Sequence, residues 1–226
     1  MDNIQKVVLP SNGLLQVEQE VTIRGMKGRE ISTLYSSLTE AAIDAIISAV
    51  TNPQLDPDLL CDEDKKFILH KTRVLTFGNE TYQTLRCPHC GVIHEYEISY
   101  NDFDVQILDE KYLTDSITLS NGDIITKKVP IKKHWTEINR YKEKTNLTND
   151  YAYILMQISR IDTVNGKRKS IPDLISYLEN LPGVELVKLA KELEIKFGLD
   201  TTFTVDCNNC NTAFTGGLGF TADLFR

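Results

Sequence analysis

Short runs of alternating apolar and polar residues open the chain. Val7-Val8-Leu9 leads into the turn-forming Ser11-Asn12-Gly13, then Leu14-Leu15-Gln16-Val17, and Val21-Thr22-Ile23-Arg24 alternates again. This predicts an extended N-terminal arm or a small hairpin over residues 1–29. Helical spacing follows. Residues 30–38 form one helical piece, and Thr39 has the position of an N-cap for residues 40–50. There Ile43, Ile46, Ile47 and Val50 fall at i, i+3, i+4 and i+7, a single apolar stripe. Asn52-Pro53 stops that helix. Asp62-Glu63-Asp64 opens another, running to about residue 73, with its acidic residues at the positive end. Residues 30–80 are thus predicted to be helical.

Period two returns at residues 81–86 and 92–100, where Ile93, Glu95, Glu97 and Ser99 alternate with His94, Tyr96, Ile98 and Tyr100. A second hairpin is signalled by Ser120-Asn121-Gly122-Asp123 between Ile117-Thr118-Leu119 and Ile124-Ile125. From His134 the pattern is helical: residues 135–144, residues 150–161 behind a cap at Thr148 or Asn149, a helix opened by Pro172, and residues 184–197 ended by Gly198. Trp135, Tyr141, Tyr151, Tyr153 and Tyr177 recur at helical spacing, which suits core packing or a subunit contact. Another strand-like stretch, residues 201–206, precedes Gly216-Gly217-Leu218-Gly219 and an apolar tail containing Leu224 and Phe225.

The cysteines tie these segments together. Four of the five form two CxxC pairs, Cys87-Pro88-His89-Cys90 and Cys207-Asn208-Asn209-Cys210, each flanked by strand-like residues. Random placement would give two such pairs only about a few times in a thousand. A CxxC turn on a hairpin presents two thiolates one tetrahedral edge apart, and two turns make a closed four-cysteine zinc site. Cys87, Cys90, Cys207 and Cys210 are therefore the expected ligands of one structural Zn2+. His89 and His94 lie close by and could substitute for a cysteine, but a full thiolate set leaves them no place. Gly91 and Asn211 follow their knuckles at equivalent positions and both tolerate positive φ. Because Cys207 comes 117 residues after Cys90, the stretch between them is expected to be an insertion into a split ribbon. The expected fold is α+β: an N-terminal arm and helices, a ribbon split between residues 81–100 and 201–226, and a mainly helical insertion with one hairpin over residues 101–200. Cys61 stands apart as a small half-buried residue.

Composition narrows the function. The 226 residues carry a net charge of −7, unlike a protein that coats phosphate backbones. The strands flanking the knuckles hold Glu95, Glu97, Asp102, Asp104 and Asp206 against Arg86 alone, which further disfavours a nucleic-acid-associated zinc ribbon, the alternative reading. A local basic stretch, Lys127-Lys128 through Lys132-Lys133-His134, is a solvated edge or the contact for an acidic partner. Neither CxxC pair opens a helix in a βαβ unit, so thioredoxin-like redox chemistry has no support. HExxH, GxSxG and a phosphate loop are all missing, and a closed zinc site does no chemistry; the chain does not read as an enzyme. No apolar run is long enough to span a membrane, and no signal peptide is visible, which favours a reducing compartment where paired cysteines bind metal.

The segment Arg24-Gly25-Met26-Lys27-Gly28-Arg29-Glu30, followed by a helix pair, the Cys87–Cys90 knuckle with Gly91, a helical middle and a second CxxC near the end, resembles the T-even-type tailed-phage baseplate hub and hub-assembly family. The resemblance covers most of the chain in order of elements. It implies a non-enzymatic component of a contractile tail's baseplate, or a factor that builds its hub. Its partners would be other baseplate or tail proteins, with no small-molecule substrate. It would reside in the virion baseplate, or in host cytoplasm during assembly.

Overall fold

A computed structural model describes residues 3–15, 17–36 and 39–219. The alternating N-terminal segments form an antiparallel sheet. β1 (Ile4–Val8) pairs with β2 (Glu20–Arg24), which also pairs with the short β3 (Thr51–Asn52), in the order β1-β2-β3. The arm thus folds back on the body, burying Val7, Leu9, Val21 and Ile23. Between β2 and β3 lie α1 (Gly28–Ser36) and α2 (Glu40–Val50). The Thr39 hydroxyl accepts the Ala42 N–H and caps α2. α2 turns Ile46, Ile47 and Val50 inward onto α3 (Asp62–Phe77).

The Arg24–Glu30 segment locks this unit. Glu30, in the first turn of α1, accepts the Lys27 N–H at 2.6 Å and pairs with Arg24 at 3.0 Å. Arg24 also donates to the Ala49 carbonyl at 2.9 Å. The Arg24 hydrogen bond is the main reason the Glu30 carboxyl sits below its usual pKa. A Cβ on Gly25 would lie 2.9 Å from the Leu75 carbonyl oxygen, so only glycine lets β2 pass α3 this closely.

β4 (Glu80–Arg86) and β5 (Ile93–Ser99) form the first knuckle hairpin. Beyond it the chain leaves through β6 (Val105–Gln106). α4 (Lys111–Thr114) precedes a three-stranded sheet of β7 (Ser116–Thr118), β8 (Ile124–Lys127) and β9 (Ile161–Val164), with β8 in the middle. α5 (Lys132–Thr145), α6 (Ala152–Arg160), α7 (Ile171–Glu179) and α8 (Gly183–Glu192) pack against it around Ile125, Ile158, Ile161, Leu178 and Leu189. Trp135, Tyr141, Tyr151 and Tyr177 pack against this second core, whereas Tyr153 faces outward.

The chain returns through β10 (Gly198–Leu199), which pairs antiparallel with β6. Exit and return thus run side by side as a two-stranded neck, extended by the Asp200 N–H to Asp104 carbonyl bond of 2.9 Å. β11 (Thr202–Asp206) and β12 (Ala213–Gly217) complete the second knuckle hairpin. Phe203, Val205 and Phe214 pack against the first core. Cys61, Leu108, Val129 and Ile131 form a third, smaller cluster. The apolar tail at Leu224 and Phe225 lies outside the described residues.

Several elements differ from the sequence expectation. The middle region contains three paired strands where one hairpin is predicted: residue 161 ends the predicted helix and begins β9. α3 runs on to Phe77, and α8 stops at Glu192, short of Gly198. Cys61 is fully buried rather than half-buried.

Candidate metal centre

The two knuckles have the same backbone construction. In the first, the Cys87 N–H donates to the Val92 carbonyl at 2.9 Å, and the Gly91 N–H donates to the Cys87 carbonyl at 3.0 Å. In the second, Cys207 donates to Thr212 at 3.1 Å, and Asn211 donates to Cys207 at 2.8 Å. Gly91 and Asn211 have φ values of 75° and 52°, the left-handed conformation that closes each turn.

The hairpins meet on their inner faces. Tyr96 from β5 packs edge-on against Phe214 from β12, with centroids 6.0 Å apart. The Phe203 ring covers its cross-strand partner Gly216, where a Cβ would lie 2.7 Å from the ring and 3.4 Å from Leu85. Glycine at 216 is therefore what lets the Phe203 ring lie across its own hairpin in this position.

This docking brings four sulfurs into one cluster. Cys87 Sγ lies 3.8 Å from Cys210 Sγ, Cys90 Sγ lies 3.6 Å from Cys207 Sγ, and all four are within 4.8 Å of one another. A tetrahedron with metal–sulfur bonds of about 2.3 Å has edges of about 3.8 Å. A disulfide would need about 2.05 Å, and all four cysteines are free thiols. The donor set suits a soft or borderline cation. Neither His89, which is exposed, nor His94, whose ring lies edge-on to Tyr96, belongs to the cluster.

The thiols differ in acidity. Hydrogen bonds from the Thr212 hydroxyl and backbone hold Cys210 down to about 6, and the Val92 backbone holds Cys90 low. Backbone donors at Cys210 and Asn209 pull on Cys207 too, but desolvation and the adjoining Cys210 and Cys90 thiols push it up to about 11. Four thiolates this close repel one another, and the charge of a bound cation would offset that repulsion and so keep all four deprotonated. The Cys61 thiol is raised chiefly by burial and lies in the third apolar cluster, as an inert core residue.

Fold and site together define a mixed α/β protein whose four cysteines, drawn from two distant hairpins, could hold one metal ion. Residues 1–222 match the family described as T4 bacteriophage base plate protein, and the chain belongs to that family. Membership places it among phage baseplate proteins with a structural role. Neither a curated protein nor a solved structure matches it. Among the described residues no helix is long and apolar enough to cross a membrane.

Proposed function

We propose that this chain is a structural or assembly component of the hub region of a contractile-tail baseplate, clipped by one zinc ion at Cys87, Cys90, Cys207 and Cys210 and acting through contacts with other baseplate or tail proteins. The observation that carries the proposal is the convergence of two identically built knuckles at tetrahedral spacing, within a chain of the baseplate family. A closed four-thiolate site leaves no coordination position for substrate, so the metal's role is architectural. Binding free energies of such sites are on the order of 10 kcal/mol, comparable with the whole stability of a domain. In a reducing host cytoplasm a metal clip does what a disulfide cannot.

The family supports a non-enzymatic role, and the exposed edge strand β1, with Ile4 and Val8 outward, offers a surface for strand addition by a neighbour. Nucleic-acid binding is not favoured: the outer face of the first hairpin carries exposed Glu80, Glu95 and Glu97 beside Arg86. Two measurements test the proposal. Metal analysis should give one zinc per chain, lost in Cys207→Ser; a variant that binds zinc and folds as wild type removes the site. Affinity purification from infected cells should recover baseplate or tail proteins. Recovery of nucleic acid instead, with salt-dependent retention on a DNA column, would overturn the assembly role.

A further inference from the structure

The basic stretch from Lys127 to His134 plays no part in the thiolate cluster, and the fold divides its charges. Lys127 lies over the Tyr112 ring, 4.6 Å from its centroid. Lys132 is surrounded by Asp44, Asp58 and Glu40. Lys128, Lys133 and His134 instead line a cavity of about 390 Å³, together with Arg168 and Lys169. That volume is typical of small-ligand sites. Ile138, Ile158, Ile161 and Leu174 supply an aliphatic lining.

Lys128 and His134 are the half-buried donors of this wall, whereas Lys133, Arg168 and Lys169 are exposed. The Lys128 side chain makes no ion pair or hydrogen bond among the described residues, and burial lowers its pKa. His134 uses Nδ1 to accept the Ile131 N–H at 3.2 Å. Burial, with Lys128 adding to it, lowers the pKa of the ring and favours its neutral form, so its proton sits on Nε2, a donor with no acceptor among the described residues. The first turns of α5 and α7 also line the cavity, at Lys133 and Ile171, and add their positive ends. Four cationic side chains face two carboxylates, Glu137 and Asp162. The wall is therefore positive on an acidic protein.

The same residues limit what fits. Arg168 is already engaged by Asp162 at 3.2 Å, and the two carboxylates oppose a dianion. Lys128 is the one half-buried ammonium in the wall, and above an aliphatic lining it matches one monoanion on an apolar stem. We propose that this cavity receives a carboxylate of a partner protein, carried on an acidic side chain or a free C-terminus, which pairs with Lys128. That the partner is a baseplate neighbour rests on the function proposed above; the preference for a carboxylate does not.

The test uses the isotope-labelled, metal-replete full chain at low salt, followed by NMR. The probes are N-acetyl-leucine for a C-terminus, the α-amide of N-acetylglutamic acid for a side chain, N-acetyl-leucinamide as the neutral control, and inorganic phosphate. One carboxylate should shift the amides of Lys128, His134 and Asp162, and which one binds identifies its source. Lys128→Met should weaken it by about tenfold or more, the weight of a charge-assisted hydrogen bond, with metal content unchanged. The proposal is overturned if neither carboxylate binds, if the leucinamide binds equally, if phosphate binds more tightly, or if Lys128→Met has no effect. Should that variant fail to fold, the wild-type chain still decides: shifts mapping away from the cavity overturn the proposal equally. Intact carboxylate binding without recovery of baseplate proteins would count against the proposed function alone.

Discussion

The seam between the N-terminal unit and the middle region is held by a buried carboxylate, and removing it gives a quantitative test of the packing. Asp44 on α2 is 8% exposed; it meets Lys65 of α3 at 3.0 Å and is also bonded by Lys132 at the start of α5. The two lysines are not equivalent. Lys132 has two further acids, Asp58 at 3.4 Å and Glu40 at 3.8 Å, whereas Lys65, also 8% exposed, has Asp44 alone among the described residues. Asp44→Ala therefore strands a buried ammonium, which costs about 3–5 kcal/mol. Lys65→Met removes the charge but keeps the aliphatic stem, and Asp44 retains Lys132, so its cost should stay near about 1 kcal/mol. In the Asp44→Ala/Lys65→Met double variant no lone charge remains, and much of the loss should be recovered. Urea unfolding of the metal-replete protein, with the single and double variants in one cycle, measures all three. Equal losses for Asp44→Ala and Lys65→Met, or strict additivity in the double variant, would refute the asymmetry read from these distances.

Three further outcomes follow from the geometry. Gly216→Ala should destabilise the protein by about 1–3 kcal/mol, because its Cβ would enter the Phe203 ring, whereas Gly217→Ala, with only ordinary contacts, should be nearly neutral; equal unfolding midpoints in urea would contradict this. His70 is 1% exposed, and among the described residues neither ring nitrogen has a partner in good hydrogen-bond geometry; burial, aided by Lys71 and Arg73, outweighs a weak backbone contact at Tyr100 and lowers its pKa to about 4. The unfolded chain then binds the extra proton first, so stability is full above about pH 6.5 and falls by about 3 kcal/mol as the pH drops towards 4. His70→Phe should flatten that part of the pH–stability curve, and an unchanged slope would place the titration elsewhere. Stripping the metal with a chelator should abolish hydrogen-exchange protection in β11 and β12 while α5–α7, packed on their own core, keep theirs. Uniform loss across both cores would show that the metal supports the whole chain.

The candidate site was the most legible part of the sequence, because the chemistry of a CxxC turn is local. Cys87, Cys90, Cys207 and Cys210, and even the positive φ of Gly91 and Asn211, could be read from a few residues each. The hairpins at Gly122 and around both knuckles, the Thr39 cap and the α2 stripe were equally plain. What escaped was set by distant partners. β6 and β10 are two residues each and exist because the exit and return of the middle region lie side by side. β9 begins at residue 161, where the predicted helix ends; four residues long, it exists because it pairs with β8. Arg24 and Glu30 stood out as a motif, but their ion pair to each other and the bond to Ala49 needed the folded chain. The basic stretch read as one feature and became three environments.

Cobalt substitution with X-ray absorption at the metal edge tests the thiolate centre most directly. One tetrahedral ion per chain with four sulfur neighbours is the expected result, with no bound ion in Cys207→Ser. Two sulfurs per ion, nitrogen in the coordination sphere, or a chain that folds with both CxxC pairs oxidised would contradict it.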